Sequence, residues 1–142
     1  MTLNELKQNI KAAAENVTGI GKVYDRFVYA FDEKQLKELF VSNDKVNVLM
    51  FRNTEREPDC GEGLESELFV KRLWKFRLIC GYNYDDNSEN SFNNLCESIC
   101  QIFNSDSAVN IRRSSFMKVT DKYDSEYHGV LVHNAEMEME TA

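Results

Sequence analysis

The side chains of this chain that could do chemistry are four cysteines, two histidines and a run of carboxylates. Cys60, Cys80, Cys96 and Cys100 contain no CxxC pair. Cys96 and Cys100 fall one helical turn apart, a geometry that would bind a metal if partner ligands stood near. The sequence around them offers no such ligands, and buried thiols commonly serve as small hydrophobes. A nucleophilic reading needs a thiol beside a base, for instance Cys80 or Cys96 with His133, yet no spacing ties such a pair together. His128 and His133 lie an odd number of positions apart on an expected strand, so they face opposite sides and do not act as a pair. His133, set among apolar residues, reads as a satisfied core or interface histidine. P-loop, GxGxxG, GxSxG, HExxH and EF-hand patterns are all absent from the sequence. The chain is therefore not read as an enzyme, and no cofactor, metal or small-molecule substrate is expected.

The carboxylates concentrate in Asn53–Glu67, NTEREPDCGEGLESE, where Glu55, Glu57, Asp59, Glu62, Glu65 and Glu67 outnumber a lone Arg56 beside the only proline. A stretch this long with no apolar pattern reads as a loop: either a solvated hairpin connection or an acidic surface set against a partner or a passage. The net charge of −7 argues against a general nucleic-acid surface, which needs clustered Lys and Arg. The chain opens Met-Thr-Leu-Asn without an apolar run, and nothing approaches the roughly 18 apolar residues of a membrane helix. A soluble cytoplasmic protein with reduced thiols is expected. At 142 residues the chain, 1–142, makes one domain with one sizeable core.

The elements that must carry these residues are organised around Leu68–Tyr84, LFVKRLWKFRLICGYNY. Its even positions are almost wholly apolar and aromatic, while its odd positions hold Lys71, Lys75 and Arg77. Period-two alternation of this kind is the mark of a half-buried antiparallel strand. Thr2-x-x-Glu5 forms a capping box ahead of Leu3, Leu6, Ile10, Ala14 and Val17, predicting an opening helix that Gly19 and Gly21 stop. Lys22–Phe31 reads as a strand from its β-branched and aromatic content. Asp32-x-x-Gln35 caps a short helix with Leu36, Leu39 and Phe40, Ser42-Asn43-Asp44 is turn chemistry, and Lys45–Arg52 alternates as a strand. Asp86 or Ser88 is placed to cap the clearest amphipathic helix, with Phe92, Leu95, Cys96, Ile99, Cys100 and Phe103 along one stripe. Asn104–Ser115 is irregular, Phe116–Val119 a short strand, Asp121–Glu126 a turn and Tyr127–Glu140 the last strand. If the two long strands share a core, Glu136, Glu138 and Glu140 lie near Lys71, Lys75 and Arg77. The fold class is α+β: an antiparallel or mixed sheet flanked by an N-terminal helix and a central amphipathic helix.

Taken together, several stretches resemble the tail terminator (tail-completion) proteins of long-tailed bacteriophages and Mu-like prophages. They are Gly19-Ile20-Gly21-Lys22-Val23 after the opening helix, Arg26, the helix with Leu36, Leu39 and Phe40, and a strand followed by Arg52. The long aromatic strand to Gly81-Tyr82, the helix Phe92–Phe103 and the close Gly129-Val130-Leu131-Val132-His133-Asn134-Ala135-Glu136-Met137 complete the set. The resemblance covers nearly the whole chain through packing patterns, with the connection after Phe103 shorter than in some relatives. It implies a ring, hexameric as a rule, that caps the head-proximal end of the tail tube, stops its polymerisation and docks the head-completion proteins. Implied partners are other copies of this chain, the tail tube protein and a head-completion protein, with no specific nucleic-acid, membrane or small-molecule partner. The implied location is the bacterial host cytoplasm during assembly and then the virion tail. On this reading Glu55, Glu57, Asp59 and Glu62 are candidates to line a DNA passage, since acidic side chains repel phosphate. Lys71, Lys75, Arg77, Glu136 and Glu138 are candidates for the subunit or partner interface, which ring closure makes heterologous. The alternative is a small cytoplasmic adaptor or regulator that binds a partner protein through an exposed strand edge.

Overall fold

The computed structural model describes residues 2–58, 70–82, 87–105 and 116–141. In chain order these form α1 (Leu3–Glu15), β1 (Lys22–Tyr24), α2 (Glu33–Phe40), β2 (Val41–Ser42), β3 (Lys45–Pro58), β4 (Val70–Gly81), α3 (Ser88–Ser105), β5 (Lys118–Tyr127) and β6 (Val130–Thr141). The sheet order is β1-β3-β4-β6-β5, with β2 paired on β3 off that path. All ladders are antiparallel except β1 on β3, which is parallel. The fold is α+β with a mixed sheet.

The opening helix starts where its cap chemistry places it. Glu5 N–H donates to Thr2 Oγ1 at 3.2 Å and Thr2 N–H to Glu5 Oε2 at 2.9 Å, so two of the orphan donors at the helix start are satisfied reciprocally. Leu6, Ile10, Ala13 and Ala14 form its buried stripe. The helix ends at Glu15, before the glycines. Gly19 turns the chain at φ +88°, and Gly21 brings it so close to β3 that a Cβ would stand 2.1 Å from the Asn47 carbonyl oxygen. Only glycine fits that approach. In α2, Gln35 N–H donates to the Asp32 cap at 2.8 Å, and Leu36 and Phe40 are buried.

The sheet carries a hydrophobic cluster on each face. On one face α1 and α3 pack Leu6, Ile10, Phe92, Leu95, Cys96, Ile99 and Phe103 against Leu49, Phe51, Trp74, Phe76, Leu78, Ala135, Met137 and Met139. The even side of β4 and the odd side of β6 thus share one core, as the two alternations predict. On the other face Leu36 and Phe40 close over Val46, Val48, Met50, Ile79 and Val132. In the first core, Phe51 stacks on Phe76 with ring centroids 5.3 Å apart and lies tilted against Trp74, and Trp74 Nε1 donates to Thr141 Oγ1 at 2.9 Å. A buried indole N–H needs such a partner.

Four expectations need correcting. Lys22–Phe31 is a strand only over Lys22–Tyr24; beyond it Phe27, Val28 and Ala30 lie against the second core instead of continuing the ladder. The stretch read as a loop from Asn53 is strand as far as Pro58, paired with Val70–Trp74 across a register shift between Asn53 and Glu55. Its residues are polar on both sides, so no hydrophobic alternation reveals it; the rest of that stretch, with Asp59, Cys60 and Glu62, lies outside the described residues. Asp121–Glu126 is not a turn but the middle of β5, an edge strand with mostly exposed side chains. The turn is His128-Gly129, with φ +51° and +83°, between the facing residues Tyr127 and Val130. Two consecutive positive φ values match the two-residue hairpin turn that suits strand twist, so β6 begins at Val130. Asn43 and Asp44, with φ +53° and +63°, make a turn of the same kind where turn chemistry predicts one.

Candidate functional site

Two places on the fold concentrate polar side chains with defined geometry. The first is the face of β4 and β6 turned away from α1 and α3. Arg77 faces Glu136 in the ladder, and Lys75 faces Glu138. Arg77 Nη2 lies 3.5 Å from Glu136 Oε1, Lys71 Nζ 3.3 Å from Glu140 Oε1 and Lys118 Nζ 3.4 Å from Glu138 Oε1. The guanidinium carbons of Arg52 and Arg77 stand 4.2 Å and 5.3 Å from the centroid of the Phe27 ring. Tyr123 Oη donates to Glu136 at 3.5 Å, and burial together with that carboxylate raises the phenol above its ordinary range. All five residues singled out as an interface, Lys71, Lys75, Arg77, Glu136 and Glu138, therefore stand on one sheet face among cross-strand ion pairs.

Of the acidic residues, Glu55 is an exposed residue of β3 opposite Leu73, and Glu57 pairs in register with Lys71. Asp59 and Glu62 lie outside the described residues. Beyond the buried Phe51, the β3 residues Arg52, Thr54, Glu55 and Arg56 are exposed, while β4 beside them stays paired with β6 as far as Arg72 and Thr141.

The second place was not visible in the sequence. Asp124 faces His133 directly across the β5–β6 ladder, with Oδ1 2.6 Å from His133 Nδ1. The other ring nitrogen, Nε2, is 3.1 Å from Oγ of Ser88, the first residue of α3. The imidazole lies between the rings of Tyr82 and Phe92, at centroid distances of 4.7 and 5.2 Å, and is 3% exposed. His133 is thus a satisfied histidine, but the partners that satisfy it are a hydroxyl and a carboxylate. Ser88 and Phe92 also line an open cavity of about 750 Å³ between the start of α3, the end of β4 and the β2–β3 turn. His128 is apart from this, its Nε2 bonded to the Ala30 carbonyl at 2.9 Å.

The thiols are held away from reactivity. Burial pushes Cys80 up to about 12 and Cys96 up to about 11, and raises Cys100 as well. A nucleophile needs the opposite, a depressed value and exposure. Cys80, Cys96 and Cys100 are free cysteines. Among the described residues no three His, Cys, Asp or Glu side chains converge as a metal site, and no helix is long and apolar enough to cross a membrane. No protein-family model matches the chain, and no curated protein matches it.

Proposed function

We propose that the protein is a tail terminator: a non-enzymatic structural component of a phage or prophage that assembles as a ring on the head-proximal end of the tail tube, stops tube growth and presents the head-joining surface. Its partners on this reading are further copies of itself, the tube protein and a head-completion protein, encountered in the bacterial cytoplasm and retained in the virion. The observation that carries the reading is the exposed polar run of β3 after Phe51, paired with β4, which leads in the sequence into the acidic stretch after Pro58. In a ring, six or so such runs would present their carboxylates to a central passage, where they repel DNA phosphate. The charge mosaic of β4, β6 and Lys118 supplies a surface on which one subunit selects its neighbour, since complementary charge gives specificity more than affinity.

The sheet path ends in β1 and in β5, and an adaptor binding through the longer of these edges would use β5. Lys118, Asp121, Lys122, Asp124 and Glu126 punctuate that edge, and charged edges oppose strand addition. The ring is the better reading.

The test is complementation of a null phage with protein carrying lysine at positions 55, 57, 59 and 62. Tails should stop at normal length, because termination depends on the ring interface, while infectivity falls, because a basic lining holds phosphate in a salt-dependent way. Full infectivity would mean the stretch does not line the passage; overlong tails would assign it to the ring or tube interface.

A further inference from the structure

Arg52 and Lys75 face one another across the β3–β4 ladder, on the sheet face that carries the ion pairs. Like charges directly opposite one another weaken strand pairing. The other cations of this face have carboxylates: Arg77 lies against Glu136, Lys71 against Glu140 and Lys118 against Glu138. Glu138 also faces Lys75 in register, but its carboxylate is engaged by Lys118. Arg52 and Lys75 are both exposed, and among the described residues neither has an ion-pair partner. Arg52 is nevertheless held in place. Its guanidinium carbon stands 4.2 Å from the centroid of the Phe27 ring, and Phe27 itself packs against the second core. A guanidinium over a ring spends one flat face on that contact and keeps the N–H donors around its edge for a ligand. The row therefore offers a pre-positioned fork and a mobile ammonium, with no anion of this chain between them.

We propose that Arg52 and Lys75 form a docking site for an acidic segment of a partner protein, whose carboxylates they take across the ladder beside Phe27. The carboxylate matches the planar fork of the arginine and accepts two parallel N–H bonds from it, while the lysine adds a point charge. The shape of the row favours a peptide over a nucleic acid. It is two cations long, Glu55 stands on the next pair of the ladder and Glu138 opposite Lys75, and Arg77 beside it is engaged by Glu136. A phosphate backbone needs a track of cations and would meet glutamates on leaving this pair. Carboxylates carried singly or in twos on a peptide fit between them. The partner thus supplies the charge that the ladder lacks, and its arrival removes the repulsion between the two strands. The inference does not rest on the tail-terminator reading.

Isotope-labelled full-length protein is titrated with a hexaglutamate peptide blocked at both ends and followed by NMR. Shifts should centre on the amides of Arg52, Lys75 and the strand residues next to them, and should shrink as salt is raised. Arg52→Glu/Lys75→Glu should bind the peptide at least about tenfold more weakly, whereas Lys34→Glu/Lys45→Glu, the same change of net charge at exposed positions elsewhere, should stay within about threefold of wild type. Lys75→Gln separates binding from folding: it relieves the repulsion, so its urea midpoint should not fall below that of wild type, while its peptide affinity drops. No shift at the pair, equal losses in the two double variants, or a lowered midpoint for Lys75→Gln would overturn the proposal. So would a short DNA duplex that shifts the same amides at lower concentration than the peptide, which would assign the row to nucleic acid. Self-association of the wild type in sedimentation, lost in Arg52→Glu/Lys75→Glu, would overturn it in favour of a second copy.

Discussion

Arg77 and Glu136 stand directly opposite one another on β4 and β6, their side chains 3.5 Å apart, and the same arginine leans on the Phe27 ring at 5.3 Å. The guanidinium thus joins the second layer, beyond β1, to the last strand of the chain. An exposed or half-exposed cross-strand pair contributes roughly 0.2–1 kcal/mol. A double-mutant cycle of Arg77→Ala and Glu136→Ala, read by urea denaturation, should give a coupling in that range that shrinks at high salt. Arg77→Ala alone should cost more than Glu136→Ala, because it also removes the contact with Phe27. Equal single costs would show that the ring contact contributes nothing.

The core is tested at two kinds of site. Phe92→Ala or Ile99→Ala removes a side chain that is 4% or 0% exposed and should cost roughly 2–5 kcal/mol. Thr141→Val changes little volume but leaves the Trp74 N–H without its acceptor. It should cost about 1–3 kcal/mol, with a shift in tryptophan fluorescence. Wild-type stability in that variant would mean the indole finds another partner.

The thiols make a pH prediction. The ordinary value is 9.0, and the folded values of Cys80 and Cys96 are about 12 and about 11. Raised folded values mean that the unfolded chain gives up these protons first as pH rises. The stability is therefore intact below pH 9 and is lost progressively from there toward the folded values, at up to about 1.4 kcal/mol per pH unit for each thiol. Cys80→Ala should flatten part of that alkaline decline. Thiol titration should find all four cysteines in denaturant without reductant, and little reaction at Cys80 or Cys96 in the native protein at pH 8. Two or none in denaturant would demonstrate disulfides.

What could be read from the sequence follows from where hydrophobicity is patterned. The Thr2–Glu5 capping box, the α3 stripe and the alternation of β4 each encode burial or a cap locally, and each element formed as the spacing predicts. The meeting of Lys71, Lys75 and Arg77 with the C-terminal glutamates was legible because two alternating strands over one core have determined outer faces. Strands without an apolar side were not. Asn53–Pro58 and Asp121–Glu126 carry no run of alternating apolar residues, and their pairing is imposed by neighbours already in the sheet. His128 conceals a turn because its positive φ is unusual for a residue other than glycine, asparagine or aspartate. The approach of Ser88, Asp124 and His133 depends on how a helix start and a hairpin pack together, and Ser88 in the sequence carries only the signal of a helix cap.

If the protein caps a tail tube as proposed, electron microscopy of particles produced with its gene deleted measures the consequence most directly. Tail tubes should then run past their normal length and fail to join heads, with the wild-type protein correcting both defects. Normal-length tails attached to heads in its absence would contradict the proposal.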